Sequence, residues 1–273
     1  MFPVSEAVDF HGDAVAWGVT GEGPPLVLVH GTPFSSHVWR RIAGHLARHR
    51  RVYAYDLLGY GRSAKREGQD VSLGVQDELL AALLDHWGLE RPDVVAHDFG
   101  GATALRAHLL RGRDYRTLTL IDPVATSPHG SPFVRAARRH ADAYAELPDY
   151  VHEAVLRAYV AGAVHRTLSA EEMDAYVAPW TGEIGKPAFY RQIAQMSDRY
   201  TDEIQDCYAW MRVAPTILWG ARDAWIPLDR GRDLAARMPG AELRVVEDAG
   251  HLVQEDAPEV VVAAVLDRLV SGG

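Results

Sequence analysis

The chain has 273 residues, 48% hydrophobic and 24% charged, with a single cysteine. This globular composition excludes a disordered tail, a collagen-like fibre and a disulfide-stapled mini-protein. Asp and Glu number 37 against 28 Lys and Arg, for a net charge of −9, and scattered arginines on an acidic chain exclude nucleic acid, whose phosphates need a basic surface.

The opening residues MFPVSEAVDF hold neither a basic segment nor an apolar run, so no signal peptide is expected. Residues 26–29 are a run of Leu and Val that reads as a buried strand, ending at His30-Gly31. Residues 52–55 read as the next strand, and 71–87 as a helix with Val75, Leu79, Leu80, Leu83 and Leu84 at helical spacing. A strand at 93–96, a helix at 100–111 and a strand at 118–121 follow. This rhythm means βαβ units and a parallel sheet.

The rhythm stops at Pro123, Pro128 and Pro132. Residues from about 132 to 210 look mostly helical and hold seven of the eleven tyrosines. Strands return at 216–219 and 243–246, and a last helix spans 258–269 with Pro258 in its first turn. The expected organisation is a core (1–127), a helical cap (128–211) and the remainder of the core (212–273). The apolar run at 260–266 is too short to span a bilayer. The lone Cys207 fits a reducing compartment, so a cytoplasmic protein without a membrane partner is expected. The oligomeric state is open, a homodimer being one option.

The informative segment is Val94-Val95-Ala96-His97-Asp98-Phe99-Gly100-Gly101. A strand runs into a polar residue followed by glycines and a helix, the setting of a nucleophile elbow. The residue at the elbow is Asp98 rather than serine, and Ala96 stands where the pattern G-x-S-x-G begins. The helix N-terminus behind it favours an anion. Read alone, Asp98 is equally a helix cap.

Context favours chemistry. Asp223 follows one strand, in Gly220-Ala221-Arg222-Asp223, and His251 follows another, in Asp248-Ala249-Gly250-His251. Nucleophile, acid and base thus occur in that order, each on a loop after a strand. Asp122 also ends a strand, but the following Pro123 suits it to a turn. The histidines lack metal-ligand spacing, and Gly59-Tyr60-Gly61 lacks the context of a dinucleotide site, so neither metal nor cofactor is expected.

Together these segments resemble the α/β-hydrolase superfamily over essentially the whole chain. The resemblance implies a mostly parallel central sheet flanked by helices, with a helical cap. His97-Asp98, with His30-Gly31-Thr32-Pro33, resembles the aspartate-nucleophile group: epoxide hydrolases, haloalkane dehalogenases and fluoroacetate dehalogenase. Residues 35–40 and Asp56-Leu57-Leu58-Gly59-Tyr60-Gly61-Arg62-Ser63 match early motifs of the superfamily. The resemblance implies that the backbone N–H groups of Thr32 and Phe99 form the oxyanion hole.

A carboxylate attacking an ester would give an anhydride, no easier to form than the bond it breaks. Attack on a saturated carbon gives an alkyl ester, which hydrolyses when His251, oriented by Asp223, removes a proton from water. The expected partners are a small apolar electrophile and water. Haloalkane dehalogenases usually have Trp after the nucleophile, and Asn in the HGxP loop or a cap Trp as a second halide donor. Fluoroacetate dehalogenase has Arg after its nucleophile. This chain has Phe99 and Thr32, and Phe offers neither an N–H nor a charge.

Epoxide hydrolases carry cap tyrosines, one often in an aromatic-Tyr-Arg run like Phe189-Tyr190-Arg191. Tyr190 is therefore the expected ring-opening acid, with Tyr150 and Tyr159 as further pocket candidates and Trp39 and Trp180 as pocket walls. The expected activity is epoxide opening to a diol. The alternatives are dehalogenation, in which Trp39 or Trp180 would lend a halide its N–H, and a non-hydrolytic binding protein or isomerase on the same scaffold.

Overall fold

The computed structural model describes residues 4–271. Eight strands form one sheet: β1 (Glu6–Phe10), β2 (Asp13–Thr20), β3 (Pro25–Val29), β4 (Arg51–Tyr55), β5 (Asp93–His97), β6 (Thr117–Ile121), β7 (Thr216–Gly220) and β8 (Glu242–Val246). Their order across the sheet is β1-β2-β4-β3-β5-β6-β7-β8. From β4 to β8 every pairing is parallel, whereas β2 runs antiparallel to both β1 and β4.

This is the expected α/β-hydrolase architecture with one addition. The hairpin β1–β2 lies before the first strand read from the sequence. Its burial is patchy and Glu6, Ala7 and Asp9 are exposed, so no continuous apolar run marks it as an edge.

The central strands read as unbroken apolar runs because both faces are covered. Val27 and Val29 join one core cluster while Leu26 and Leu28 join the other. The helices of the core are α1 (Ala43–Leu46), α2 (Leu73–His86) and α3 (Phe99–Leu110). Between β6 and β7 come α4 (Pro132–Arg139), α5 (Ala141–Ala145), α6 (Asp149–Ala161), α7 (Ala170–Val177), α8 (Gly182–Ala194) and α9 (Arg199–Gln205). The chain ends with α10 (Leu228–Arg237), α11 (Val253–Asp256) and α12 (Pro258–Ser271). Among the described residues no helix is long and apolar enough to cross a membrane.

The helices between β6 and β7 are tied to the core through Glu255, whose side chain is fully buried. Arg40 from the core reaches its Oε2 at 3.1 Å and Arg166 from the inserted segment at 2.7 Å. The Tyr176 hydroxyl on α7 also donates to this carboxylate. A buried charge satisfied from both sides ties the two parts together, because separating them would leave the desolvated carboxylate with only part of its compensation.

Candidate active site

The carboxyl ends of β3, β5, β6 and β7 and the loop after β8 converge on one point. At the end of β5 the chain turns sharply into α3, and Asp98 takes φ 51° and ψ −117°, a region that side chains rarely occupy. Its backbone is pinned on both sides: its N–H donates to the Ile121 carbonyl, and its carbonyl accepts from Gly101 and Val124. The side chain makes no capping bond to α3, so the carboxylate is free for other partners.

The glycines act by contact more than by the bend. A Cβ on Gly100 would lie 2.3 Å from the Val29 carbonyl oxygen, and one on Gly101 2.5 Å from Pro123 Cβ. A Cβ on Gly31 would lie 2.4 Å from Asp98 Oδ1. Only glycine at 31 lets the loop after β3 approach the carboxylate.

That approach sets the first half of the site. The Thr32 N–H donates to Asp98 Oδ1 at 2.7 Å. Behind it, the Thr32 hydroxyl donates to Gln192 Oε1 at 2.8 Å and the Tyr60 hydroxyl to the same oxygen at 3.0 Å. His30 braces the loop: its Nε2 accepts from the Leu57 N–H at 2.9 Å, so Nδ1 carries the proton given to the Gly31 carbonyl.

The second half is His251. Its Nδ1 lies 2.8 Å from Asp223 Oδ2, and its Nε2 faces Asp98 Oδ2 at 3.3 Å. Asp223 is held by the Trp225 and Ile226 N–H groups, which reach its Oδ1 at 2.7 and 2.9 Å. The His97 ring, its pKa pulled down to about 3 by burial and then by the neighbouring His251, meets the His251 carbonyl at 3.0 Å.

Burial would push Asp98 up, but His251 and the Phe99 N–H outweigh it and hold the carboxylate below its ordinary pKa of 3.8. Burial likewise opposes charge on His251, yet Asp223 and Asp98 overcome it and raise its pKa well above 6.5. The resting pair is carboxylate and imidazolium. Neutralising Asp98 would remove one of the two charges raising His251, lowering its pKa so that the imidazolium could give up its proton and leave a neutral Nε2.

Asp122 is more than a turn residue. It is fully buried with φ 40°, and its Oδ1 accepts the Gly220 N–H at 3.0 Å while Oδ2 has no partner. Atoms of Asp122, Asp223 and His251 lie within 4.8 Å of one another. A cation there would have to break the Asp223–His251 bond, and Asp122 is better matched as a protonated acid beside that pair.

Burial, then the charge of Asp223, drives the Asp122 pKa well above the usual carboxylate range. The folded chain therefore keeps a proton that the unfolded chain releases above 3.8. Stability falls as pH climbs from there toward the raised folded value. Asp122→Asn keeps the acceptor and cannot titrate. Its Tm is expected to gain on that of the wild type progressively as pH rises above 3.8; thermal unfolding curves with a pH-independent offset would refute this.

Around Asp98 lies a cavity of about 30 Å³ whose wall includes Thr32, Phe99, His129, Tyr159, Met196 and Trp225. Trp225 stacks on Tyr159 with ring centres 4.1 Å apart and lies 4.8 Å from His251. Of the expected pocket residues, Tyr159 alone lines this cavity. Tyr150 is 78% exposed, because the polar start of α6 faces outward. Trp39 is buried among Ile42 and Leu46 in the core under the sheet. Trp180 gives its indole N–H to the Pro33 carbonyl at 2.5 Å. Tyr190 is buried, but its hydroxyl donates to His152 Nδ1 at 2.9 Å, since His152 Nε2 gives its proton to the Trp180 carbonyl. Tyr190 thus packs inside the helical segment, away from the cavity wall.

A profile described as the alpha/beta hydrolase family matches residues 26–264. The chain belongs to the alpha/beta hydrolase family. An alpha/beta hydrolase fold protein from Burkholderia ambifaria is 54% identical, with a TM-score of 0.96 and 98% of each chain covered. A Mycobacterium tuberculosis protein named haloalkane dehalogenase 2 is 27% identical over 91% of this chain and 88% of its own length. The structure of epoxide hydrolase CorEH shares the fold at 21% identity and a TM-score of 0.80, covering 97% of this chain and 98% of its own.

Proposed function

We propose that this hydrolase acts through a covalent alkyl ester on Asp98 and opens an epoxide to a diol, the helical segment 128–211 serving as its cap. The observation that carries this reading is the division of labour on one carboxylate. Asp98 Oδ1 rests on the Thr32 N–H, while Oδ2 faces His251 and is free to attack. Oδ2 displaces the epoxide oxygen from a saturated carbon, and the departing alkoxide takes a proton. His251 passes its proton back to the acid that protonated the alkoxide. Water then adds to the ester carbon and gives a proton to the neutral His251, while the Thr32 and Phe99 N–H groups hold the charge on the carbonyl oxygen. Collapse of this centre breaks its bond to the product oxygen, which leaves as the diol hydroxyl with the remaining water proton and restores the Asp98 carboxylate.

The proton for the alkoxide falls to Tyr159, the one tyrosine on the cavity wall. Burial first, and the Asp98 charge second, raise its pKa well above 10, so the phenol keeps its proton at neutral pH. This reassigns the acid from Tyr190, whose hydroxyl is committed to His152. A second reading, carbon–halogen hydrolysis, is favoured by Trp225, an indole on the same wall that would lie beside a departing halide.

Both readings require water to attack Asp98 itself. A single turnover in oxygen-18 water is expected to place the label in the Asp98 carboxylate, read by peptide mass spectrometry. Label appearing in the diol with none in Asp98 would overturn the ester mechanism.

A further inference from the structure

The space at Asp98, about 30 Å³, holds little beyond the reacting carbon, so the body of a substrate must lie elsewhere. A second cavity of about 200 Å³ shares Val124, His129, Gly130, Trp225 and Ile226 with it. Arg135 and Arg230 also line this second cavity, and none of its lining residues is acidic. In a chain of net charge −9, that is a local reversal of sign.

Neither guanidinium is committed to a carboxylate among the described residues. Arg230 reaches only the Ser127 and Pro128 carbonyls, at 3.2 and 3.3 Å, and Arg135 donates to the Gly130 carbonyl. Between the cavities sits His129. Its side chain is 6% exposed, and its Nε2, although 3.4 Å from Asp198 Oδ1, makes no hydrogen bond. A buried polar atom left unpaired is costly unless a ligand completes it. The Asp98 cavity also shares Ser131, Tyr159 and Trp225 with an apolar groove that contains Phe133 and Val155.

We propose that the second cavity is a carboxylate subsite, in which Arg135, Arg230 and His129 hold the acid group of the substrate. This rests on Asp98 as nucleophile and deepens that reading. The substrate class becomes a small electrophile with its carboxylate in the arginine cavity, its reacting carbon at Asp98 and an apolar substituent in the groove. A 3-substituted glycidate, an epoxide next to a carboxylate, has this layout. Planar guanidinium groups pair well with a carboxylate in such a space, and the pairing strengthens as water is excluded.

The test uses the unreactive pair cinnamate and cinnamamide, which differ only in the charged group. By calorimetric titration of the full chain, cinnamate is expected to bind at least about tenfold more tightly than the amide, a factor within reach of one charge-assisted contact. Arg135→Gln/Arg230→Gln is expected to abolish that preference. The same double variant should raise the KM for 3-phenylglycidate, relative to that for styrene oxide, by about tenfold or more. Equal or undetectable binding of acid and amide by the wild type, or a preference that survives in the double variant, overturns the subsite. The binding arm needs no chemistry at Asp98. A chain that selects cinnamate but never labels Asp98 defeats the nucleophile reading alone; one that is labelled by styrene oxide yet ignores the carboxylate defeats the subsite alone.

Discussion

His251→Gln is expected to halt the reaction halfway, leaving the opened epoxide esterified to Asp98 and kcat lower by about 10³-fold. Nothing that prepares the first step depends on the imidazole acting as a base. Asp98 keeps its strained elbow and its Thr32 N–H contact; loss of the imidazolium lets burial raise the Asp98 pKa, so the alkylation is followed at alkaline pH, where the carboxylate is retained. The second step has no substitute for His251, whose Nε2 is the basic atom facing Asp98 Oδ2 at 3.3 Å. Glutamine fills much of the same volume without a basic nitrogen, which separates loss of the base from loss of packing. Mass spectrometry of the Asp98 peptide after mixing with styrene oxide should show a mass gain equal to the epoxide. An unmodified peptide in a variant that still turns over would exclude the intermediate.

Tyr159→Phe is expected to lower kcat/KM for epoxides by about 10²-fold, the usual worth of a positioned proton donor, while a bromoalkane is turned over with its ratio to wild type near one. The contrast follows from the leaving groups. An alkoxide is a strong base and needs a proton as it departs, whereas a bromide ion does not. Phenylalanine keeps the ring that stacks on Trp225 at 4.1 Å, so the cavity wall stays in place. Initial-rate measurements on both substrates decide the matter. Equal losses on both would indicate a packing role for Tyr159, and no loss on the epoxide would move the acid elsewhere. Tyr190→Phe is the control, since its hydroxyl bonds to His152 inside the helical segment.

The elements that carry the reacting groups were legible because their signals are local. Leu26, Val27, Leu28 and Val29 read as a strand since each residue is buried on one face or the other. The polar residue at the end of β5, followed by glycines, marks a turn that few side chains tolerate. Asp223 and His251 stood out by position after strands, and parallel strands carry their ends to one edge of the sheet whatever the intervening loops contain. The hairpin β1–β2 was missed for the converse reason: half of its surface meets water and no periodic run survives.

What only the tertiary structure decided is which side chains of the helical segment see the carboxylate. Tyr150, Tyr159 and Tyr190 lie on α6 and α8, and helical periodicity says that each has a face without saying which face meets Asp98. The docking of those helices puts Tyr159 on the cavity wall, Tyr190 against His152 and Tyr150 in water. The same holds for Asp122, whose apparent turn chemistry hid a buried acid beside Asp223, and for His129, Arg135 and Arg230, which sit in no recognisable motif. The order of strands and the kind of residue at their ends are written along the chain. Proximity between side chains from separate elements is set by packing, and it alone brings Tyr159 to the wall around Asp98 and Arg135 and Arg230 to the neighbouring cavity.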